Sequence, residues 1–272
     1  MSAASPIDYG LLRQIVYRFS QNVLDSSRDY LFAPRLSKLL RNRGLTHLEE
    51  LVQLLRLRKD LELERSVAEA MTINETSFFR DGRPFELLRT EVIPGLIEAR
   101  RMQRSLRFWS AACSTGQEAY SVAMLLREHF PNLGHWNLRI DGTDFCSAIV
   151  ERARKGRYHR IEMNRGLPAR HIIRFFDHCG EDWVVKPEIH QLCHFRAANL
   201  CEPLPFTERF DVIFLRNVML YFSQDARRAL LRNVHRLLAP EGFLFLGSAE
   251  QPADPSLWTS VLAGGTCHFR PR

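Results

Sequence analysis

The sequence contains no apolar run approaching the roughly 18 residues that a membrane-spanning helix requires, so no membrane span is expected. The first twenty residues lack a basic start followed by an apolar block, which argues against a secretory signal. Six cysteines stand at positions 113, 146, 179, 193, 201 and 267. None forms a C-x-x-C pair, and none flanks a histidine at metal spacing. The ten histidines are scattered without paired ligand spacing, so no metal centre is expected. This predicts reduced thiols in a cytoplasmic protein. A G-x-G-x-x-G string is missing, as is a P-loop lysine, and with them the usual phosphate cradles. Internal repeats and low-complexity stretches are missing too. What is present is an ordinary globular composition of 272 residues, 45% hydrophobic and 25% charged, enough for a sizeable core. The net charge of +7 favours acidic partners without choosing among them.

The chain changes character near residue 75. Ile7 to Val23 carries apolar residues at Leu11, Leu12, Ile15, Val16 and Phe19, a helical stripe. Tyr30–Arg43, Leu48–Leu57 and Asp60–Ile73 continue as helices, with Gly44 as a stop and Thr46 as an N-cap. Residues 1–73 therefore read as a small all-helical domain. Residues 74–104 read as a linker segment holding a helix from Pro84 to Met102 that Pro94 kinks or splits.

From residue 105 strands and helices alternate. Leu106–Ser110, Trp136–Ile140, Phe210–Leu215 and Phe243–Leu246 read as strands, and Thr266–Phe269 as a last edge strand. Glu118–Phe130, Ser147–Lys155 and Gln224–Leu238 read as helices, and Pro240-Glu-Gly242 as a turn. The alternation predicts an α/β domain over 105–272 with a doubly wound, Rossmann-like sheet. At about 165–198 it breaks. There Asp182–Lys186 and Leu192–Ala197 read as an inserted antiparallel β-hairpin.

In an open α/β sheet, ligands bind beyond the carboxyl ends of the strands. The first strand ends in Ser110-Ala-Ala-Cys-Ser-Thr-Gly-Gln-Glu118, a small-residue turn that backbone contacts with a ligand would suit, though a plain tight turn has the same look. The second ends at Asp144, which could accept from two ribose hydroxyls or cap the helix at 147–155. Asn199 could face an adenine edge or hold a turn. Arg216 and Asn217 follow Phe-Asp-Val-Ile-Phe-Leu, badly placed for a core and well placed for a site. Together these suggest a nucleoside ligand without a phosphate clamp, and S-adenosylmethionine fits that description.

Five strings, Asn74-Glu-Thr-Ser-Phe-Phe-Arg80, Trp109-Ser-Ala-Ala-Cys-Ser-Thr-Gly-Gln-Glu118, Gly142-Thr-Asp144, Ala198-Asn199-Leu200 and Arg216-Asn-Val-Met-Leu-Tyr-Phe222, resemble in order and spacing the motif set of the chemotaxis receptor methyltransferases of the CheR type. The resemblance covers nearly the whole chain. It implies a class I methyltransferase that methylates glutamate side chains on the cytoplasmic helical bundle of bacterial chemoreceptors, with S-adenosylmethionine as donor and S-adenosylhomocysteine as product. By the same resemblance Asn74, Thr76, Arg80, Glu118, Asp144, Asn199, Leu200, Arg216 and Asn217 contact the cofactor. Arg80 and Tyr221 face the transferred methyl and the acceptor carboxylate. A monomer is implied. Gly116-Gln-Glu-Ala119 departs from the family's Gly-Glu-Glu-Pro but keeps the second acid. Gly247-Ser-Ala-Glu250 stands where Gly-His-Ser-Glu is common. The hairpin turn Asp177-His-Cys-Gly-Glu-Asp182 is short, as in members that need no C-terminal pentapeptide tether.

A glutamate acceptor is already ionised at neutral pH, its reference pKa being about 4.3, so no general base is expected. The enzyme must aim the carboxylate, and Arg80 offers a fork for it. Tyr221 could donate a hydrogen bond, or simply fill space under the cofactor. Arg35, Lys38, Arg41 and Arg43 cluster around the second helix, where a positive stripe suits an acidic receptor bundle. An ordinary solvated face is the alternative. Arg100, Arg101, Arg104 and Arg107 read as solvent-facing. A methyltransferase on nucleic acid or a small molecule is the rival, but no Asn/Asp-Pro-Pro-Tyr string follows the fourth strand and no Pro-Cys nucleophile is present. A non-catalytic cofactor-binding signalling module is the second rival.

Overall fold

The computed structural model describes residues 7–57 and 60–272; the parts of the 1–73 helical stretch at residues 1–6 and 58–59 lie outside the described residues. The described chain forms two compact units. One holds the residues up to Ile73 together with Tyr221–Arg227, the other Asn74–Leu220 with Arg228–Arg272.

The first unit is helical: α1 (Tyr9–Ser20), α2 (Phe32–Asn42), α3 (Leu48–Leu57) and α4 (Leu61–Ala70). Asp8 caps α1 by accepting from the Leu11 amide, and Asp60 caps α4 through the Leu63 amide. Leu12, Ile15, Val16, Leu36, Leu51 and Val67 close its core. The apolar spacing seen in the sequence is what turns these faces inward.

In the second unit α5 (Arg83–Leu87) and α6 (Ile93–Ala99) are separated by a π turn at Leu88–Val92. Pro94 thus splits the segment: it sits in the first turn of α6, where a missing N–H costs little. Then follow β1 (Ser105–Ala111), α7 (Gln117–His129), β2 (Asn137–Asp144), α8 (Ser147–Lys155), β3 (Arg157–His159), α9 (Arg160–Met163), α10 (Ala169–Phe175), β4 (Phe176–Cys179), β5 (Asp182–Val185), α11 (Pro187–His190), β6 (Cys193–Ala197), β7 (Phe210–Leu215), α12 (Gln224–Leu237), β8 (Leu238–Leu246), β9 (Trp258–Ala263) and β10 (Thr266–Pro271).

The main sheet runs β6-β2-β1-β7-β8-β10-β9. The first five strands are parallel, and β10 and β9 close the far edge antiparallel. This is a doubly wound α/β sheet, with strand order reversing at β1. Phe108, Ile140, Phe214 and Phe245 lie in one core with Leu125 and Tyr120 from α7. Phe214 stacks on Phe245 at 5.0 Å.

Three strand expectations need correction. The inserted antiparallel hairpin is real, but its strands are β4 and β5, with β3 on the other side of β5. The run at 192–197 is not a hairpin arm. It is β6, parallel to β2 at the edge of the main sheet, because Phe195 packs over Gly142. A Cβ on Gly142 would meet that ring at 2.5 Å, so only glycine permits the approach. Residues 240–242 make no separate turn: β8 runs unbroken from Leu238 to Leu246, with a register shift against β7. The last strand is not the edge, since β9 lies outside it.

Arg100 and Arg107 also depart from expectation. Arg100 donates to Asp211 at 2.8 Å and Glu241 at 2.9 Å, and its side chain is only 18% exposed. The Arg107 side chain lies against Asp141 and Glu208, with its backbone amide on Asp211. Carboxylates on neighbouring strands draw these two guanidiniums in; Arg101 and Arg104 remain exposed.

Candidate functional site

The site builds up at the carboxyl ends of β1, β2, β6 and β7, where the strand order reverses. After β1 the backbone makes a tight turn in which Ala112, Ser114 and Gly116 all have positive φ. Among the described residues seven non-glycine residues are left-handed, and Phe79, Asp81, Ala112, Ser114 and Asn217 are five of them. All five sit on the three segments that meet here, so backbone strain is concentrated where the site is.

Asp144 ends β2, buried. One carboxylate oxygen accepts from the Ser114 amide at 2.9 Å and the other from the Cys146 amide at 3.0 Å. It accepts ahead of α8 and not from its first turn, so it braces the β1 turn rather than capping the helix. Ser114 Oγ donates to the Asn74 carbonyl at 2.7 Å, tying the 74–81 segment to the same turn. Glu118, in the first turn of α7, accepts from Ser110 Oγ at 2.7 Å and from Arg216 at 3.0 Å. Arg216 is buried at the end of β7. It also reaches Asp81 at 2.5 Å and the Arg80 carbonyl at 3.1 Å. Asp81 escaped the sequence reading because its partner Arg216 lies 135 residues away and leaves no local pattern; Ser110 and Ser114 fall inside the quoted turn, but their bonds to Glu118, Asp144 and Asn74 have no spacing signature.

The other expected site residues are placed as follows. Asn199 is buried beyond β6 and holds its turn: Oδ1 accepts from the Cys201 amide and Nδ2 donates to Glu202, each at 3.0 Å. Leu200 beside it is buried, and Thr76 is half-buried. Asn217 has φ of 60°. Arg80 is half-buried and donates to the Glu75 carbonyl at 3.0 Å; no carboxylate pairs with it among the described residues. Tyr221 stands with the helical unit, where its carbonyl accepts from the Val23 amide at 2.8 Å. Lys38, Arg41 and Arg43 are exposed on and just beyond α2, whereas Arg35 is drawn in to donate to the Met71 carbonyl at 2.7 Å.

Two observations describe the ligand that would fit. Arg216 Nε and Asn217 Oδ1 are buried without a hydrogen-bond partner, one donor and one acceptor left over at the strand ends. The pKa of the Cys113 thiol, buried in the turn after β1, is pushed up by burial first and then by the Asp144 and Glu118 carboxylates. Glu118 and Asp144 bring two carboxylates to the strand ends, which suits a ligand carrying positive charge. The residues fit S-adenosylmethionine, which carries a sulfonium, an ammonium, ribose hydroxyls and no phosphate.

Fold and site together define an S-adenosylmethionine-dependent methyltransferase. Residues 74–264 match the family described as CheR methyltransferase, SAM binding domain. The chain is 42% identical over 254 residues to chemotaxis protein methyltransferase 1 of Pseudomonas aeruginosa, covering 92% of each chain. It is 38% identical over 248 residues to chemotaxis protein methyltransferase Cher2 of Pseudomonas putida, covering 90% of each. With the chemotaxis protein methyltransferase of Vibrio parahaemolyticus the identity is 35% over 232 residues, covering 84% of this chain and 83% of that one. The chain belongs to the CheR methyltransferase family. No helix among the described residues is long and apolar enough to cross a membrane.

Proposed function

We propose that this chain forms methyl esters on glutamate side chains of the cytoplasmic helical bundle of chemoreceptors. When bound, S-adenosylmethionine supplies an electrophilic methyl group on a sulfonium and leaves as S-adenosylhomocysteine. Asn74, Thr76, Arg80, Glu118, Asp144, Asn199, Leu200, Arg216 and Asn217 hold it; Glu118 and Asp144 match its positive charge and its ribose. Arg80 and Tyr221 face the acceptor.

The observation that carries the glutamate reading is the state of Arg80. Arg216 is ion-paired through its terminal nitrogens with Glu118 and Asp81, while Arg80 makes no ion pair with a carboxylate among the described residues. A half-buried guanidinium so placed can fork onto an incoming carboxylate and aim it. The carboxylate arrives ionised, so no residue need remove a proton. Arg80 must position without neutralising fully, since a tight ion pair would weaken the nucleophile.

Residues 1–73 act as the docking domain, with 74–104 as the cofactor-contacting linker and 105–272 as the catalytic domain. Lys38, Arg41 and Arg43 offer an exposed basic face to an acidic bundle. Arg35, half-buried, braces α2 by donating to the Met71 carbonyl. Two residues, Gly180 and Glu181, join β4 to β5, and this short turn supports docking without a pentapeptide tether. The enzyme works as a cytoplasmic monomer, without nucleic acid.

The test is transfer of labelled methyl from S-adenosylmethionine to a receptor cytoplasmic fragment. Label released by mild base, and lost when the target glutamates are changed to glutamine, is the expected result. Base-stable label would assign a different acceptor chemistry and end the ester reading.

A further inference from the structure

Glu250 follows β8 and is buried, with no role in the reading given so far. Its carboxylate accepts four backbone N–H groups. Oε2 takes those of Asn217 at 2.7 Å and Gly247 at 2.8 Å; Oε1 takes those of Val218 at 3.0 Å and Met219 at 2.8 Å. Each oxygen receives two donors, so the charge is met by backbone dipoles. Three of these amides are consecutive and begin at the residue after Arg216. They converge on one anion only because Asn217 turns left-handed. The same residue leaves its side-chain oxygen without a partner, as Arg216 does its Nε. Gly247 completes the arrangement: a Cβ there would lie 2.7 Å from Glu250 Oε2 and 2.7 Å from Asn217 Nδ2.

We propose that Glu250 is a positioning residue, whose carboxylate locks the segment 216–219 in the shape that presents Arg216 and Asn217 to the cofactor. The inference rests on the reading of those two residues as cofactor contacts. A carboxylate suits this position because it is acceptor-only. An amide would point N–H groups at two of the four donors, and the segment would relax away from its left-handed turn. The segment's shape is thus set from a neighbouring strand.

The test is binding of S-adenosylhomocysteine to the full chain by calorimetry, well below the melting midpoint, which needs no acceptor. N217A calibrates what losing a cofactor contact does. E250Q removes the charge with little change of shape, and G247A keeps the charge but crowds the carboxylate. Each should weaken binding about tenfold, and turnover on a receptor fragment should fall by about 10- to 100-fold with its KM little changed. Because both variants disturb one carboxylate, the double variant should be no weaker than the worse single one. S248A, on an exposed residue of the same turn, should bind as wild type. Should E250Q fail to fold, G247A carries the test alone. Weak binding by N217A with wild-type binding by E250Q and G247A overturns the inference, as does full additivity. Wild-type binding by all three removes the reading of Asn217 as a cofactor contact, and the inference with it.

Discussion

Asp141 and Asp144 lie on the same strand, three residues apart and both buried, yet they are held in opposite ways. Asp141 is surrounded by guanidiniums: Arg139 chelates it at 2.8 and 2.9 Å, with Arg196 at 3.3 Å and Arg107 at 3.5 Å. Hydrogen bonding to Asp141 raises the Arg139 pKa in turn. Asp144 meets the amides of Ser114 and Cys146. Asp141, ringed by three guanidiniums, ties neighbouring strands together. Asp144 is braced by backbone amides, and its carboxylate adds to burial in raising the pKa of the neighbouring Cys113 thiol. Glu250 takes the backbone solution to completion. On this strand, side-chain guanidiniums hold Asp141 and backbone amides brace Asp144.

The largest expected effect that sharpens this contrast is on stability. Asp141→Asn leaves guanidiniums around a neutral amide, and breaking such a buried pair costs about 3 kcal/mol or more. Chemical denaturation should show that loss, while S-adenosylhomocysteine binding in the folded protein stays near wild type. Asp144→Asn should do the reverse. It removes a charged hydrogen-bond acceptor worth about 1.5–3 kcal/mol to the ligand, so binding weakens by about 10- to 100-fold with a smaller stability loss than Asp141→Asn. Equal effects of both variants on both quantities would break the comparison.

Smaller effects lie away from the strand ends. Reversing charge at Lys38 and Arg41 should raise the receptor KM about 3- to 10-fold at low salt, fading as salt rises, with an unchanged melting midpoint. The smallest concerns His268 on β10. Burial first, and Arg270 second, hold its pKa below the usual histidine value. The folded protein therefore binds fewer protons than the unfolded chain once pH drops below about 6.5. Stability contributed here is full above that value and declines as pH falls through it toward the depressed folded pKa. His268→Phe should flatten the stability profile between about pH 7 and 5 by less than about 1 kcal/mol.

Much of the sheet was legible because parallel strands buried on both faces read as short apolar runs; Phe210–Leu215 appears in the structure with the same ends. Pairing was not legible. The run ending at Ala197 looks like a hairpin arm from its local pattern, and only the packing of Phe195 over Gly142 sends it to the main sheet. Trp258–Ala263 was missed because half of its residues are exposed and its alternation is weak. The site divides the same way. Residue types at strand ends pointed to Asp144, Asn199, Arg216 and Asn217, and the family resemblance added Glu118. The braces behind them, Ser114, Asp81 and Glu250, act through backbone amides or long-range pairs that no spacing rule encodes. Arg100 and Arg107 were misread as solvent-facing because Asp211 and Glu241 are distant in sequence.

The most direct test of the central claim is turnover by Arg80→Lys at saturating S-adenosylmethionine. Lysine keeps the charge and loses the fork. Turnover on a receptor fragment should fall by about 10- to 100-fold, the cost of a charge-assisted pair of hydrogen bonds, with S-adenosylhomocysteine binding reduced far less and the remaining label still released by mild base. Unchanged turnover, or a loss confined to cofactor binding, would contradict a role for Arg80 in aiming the acceptor carboxylate.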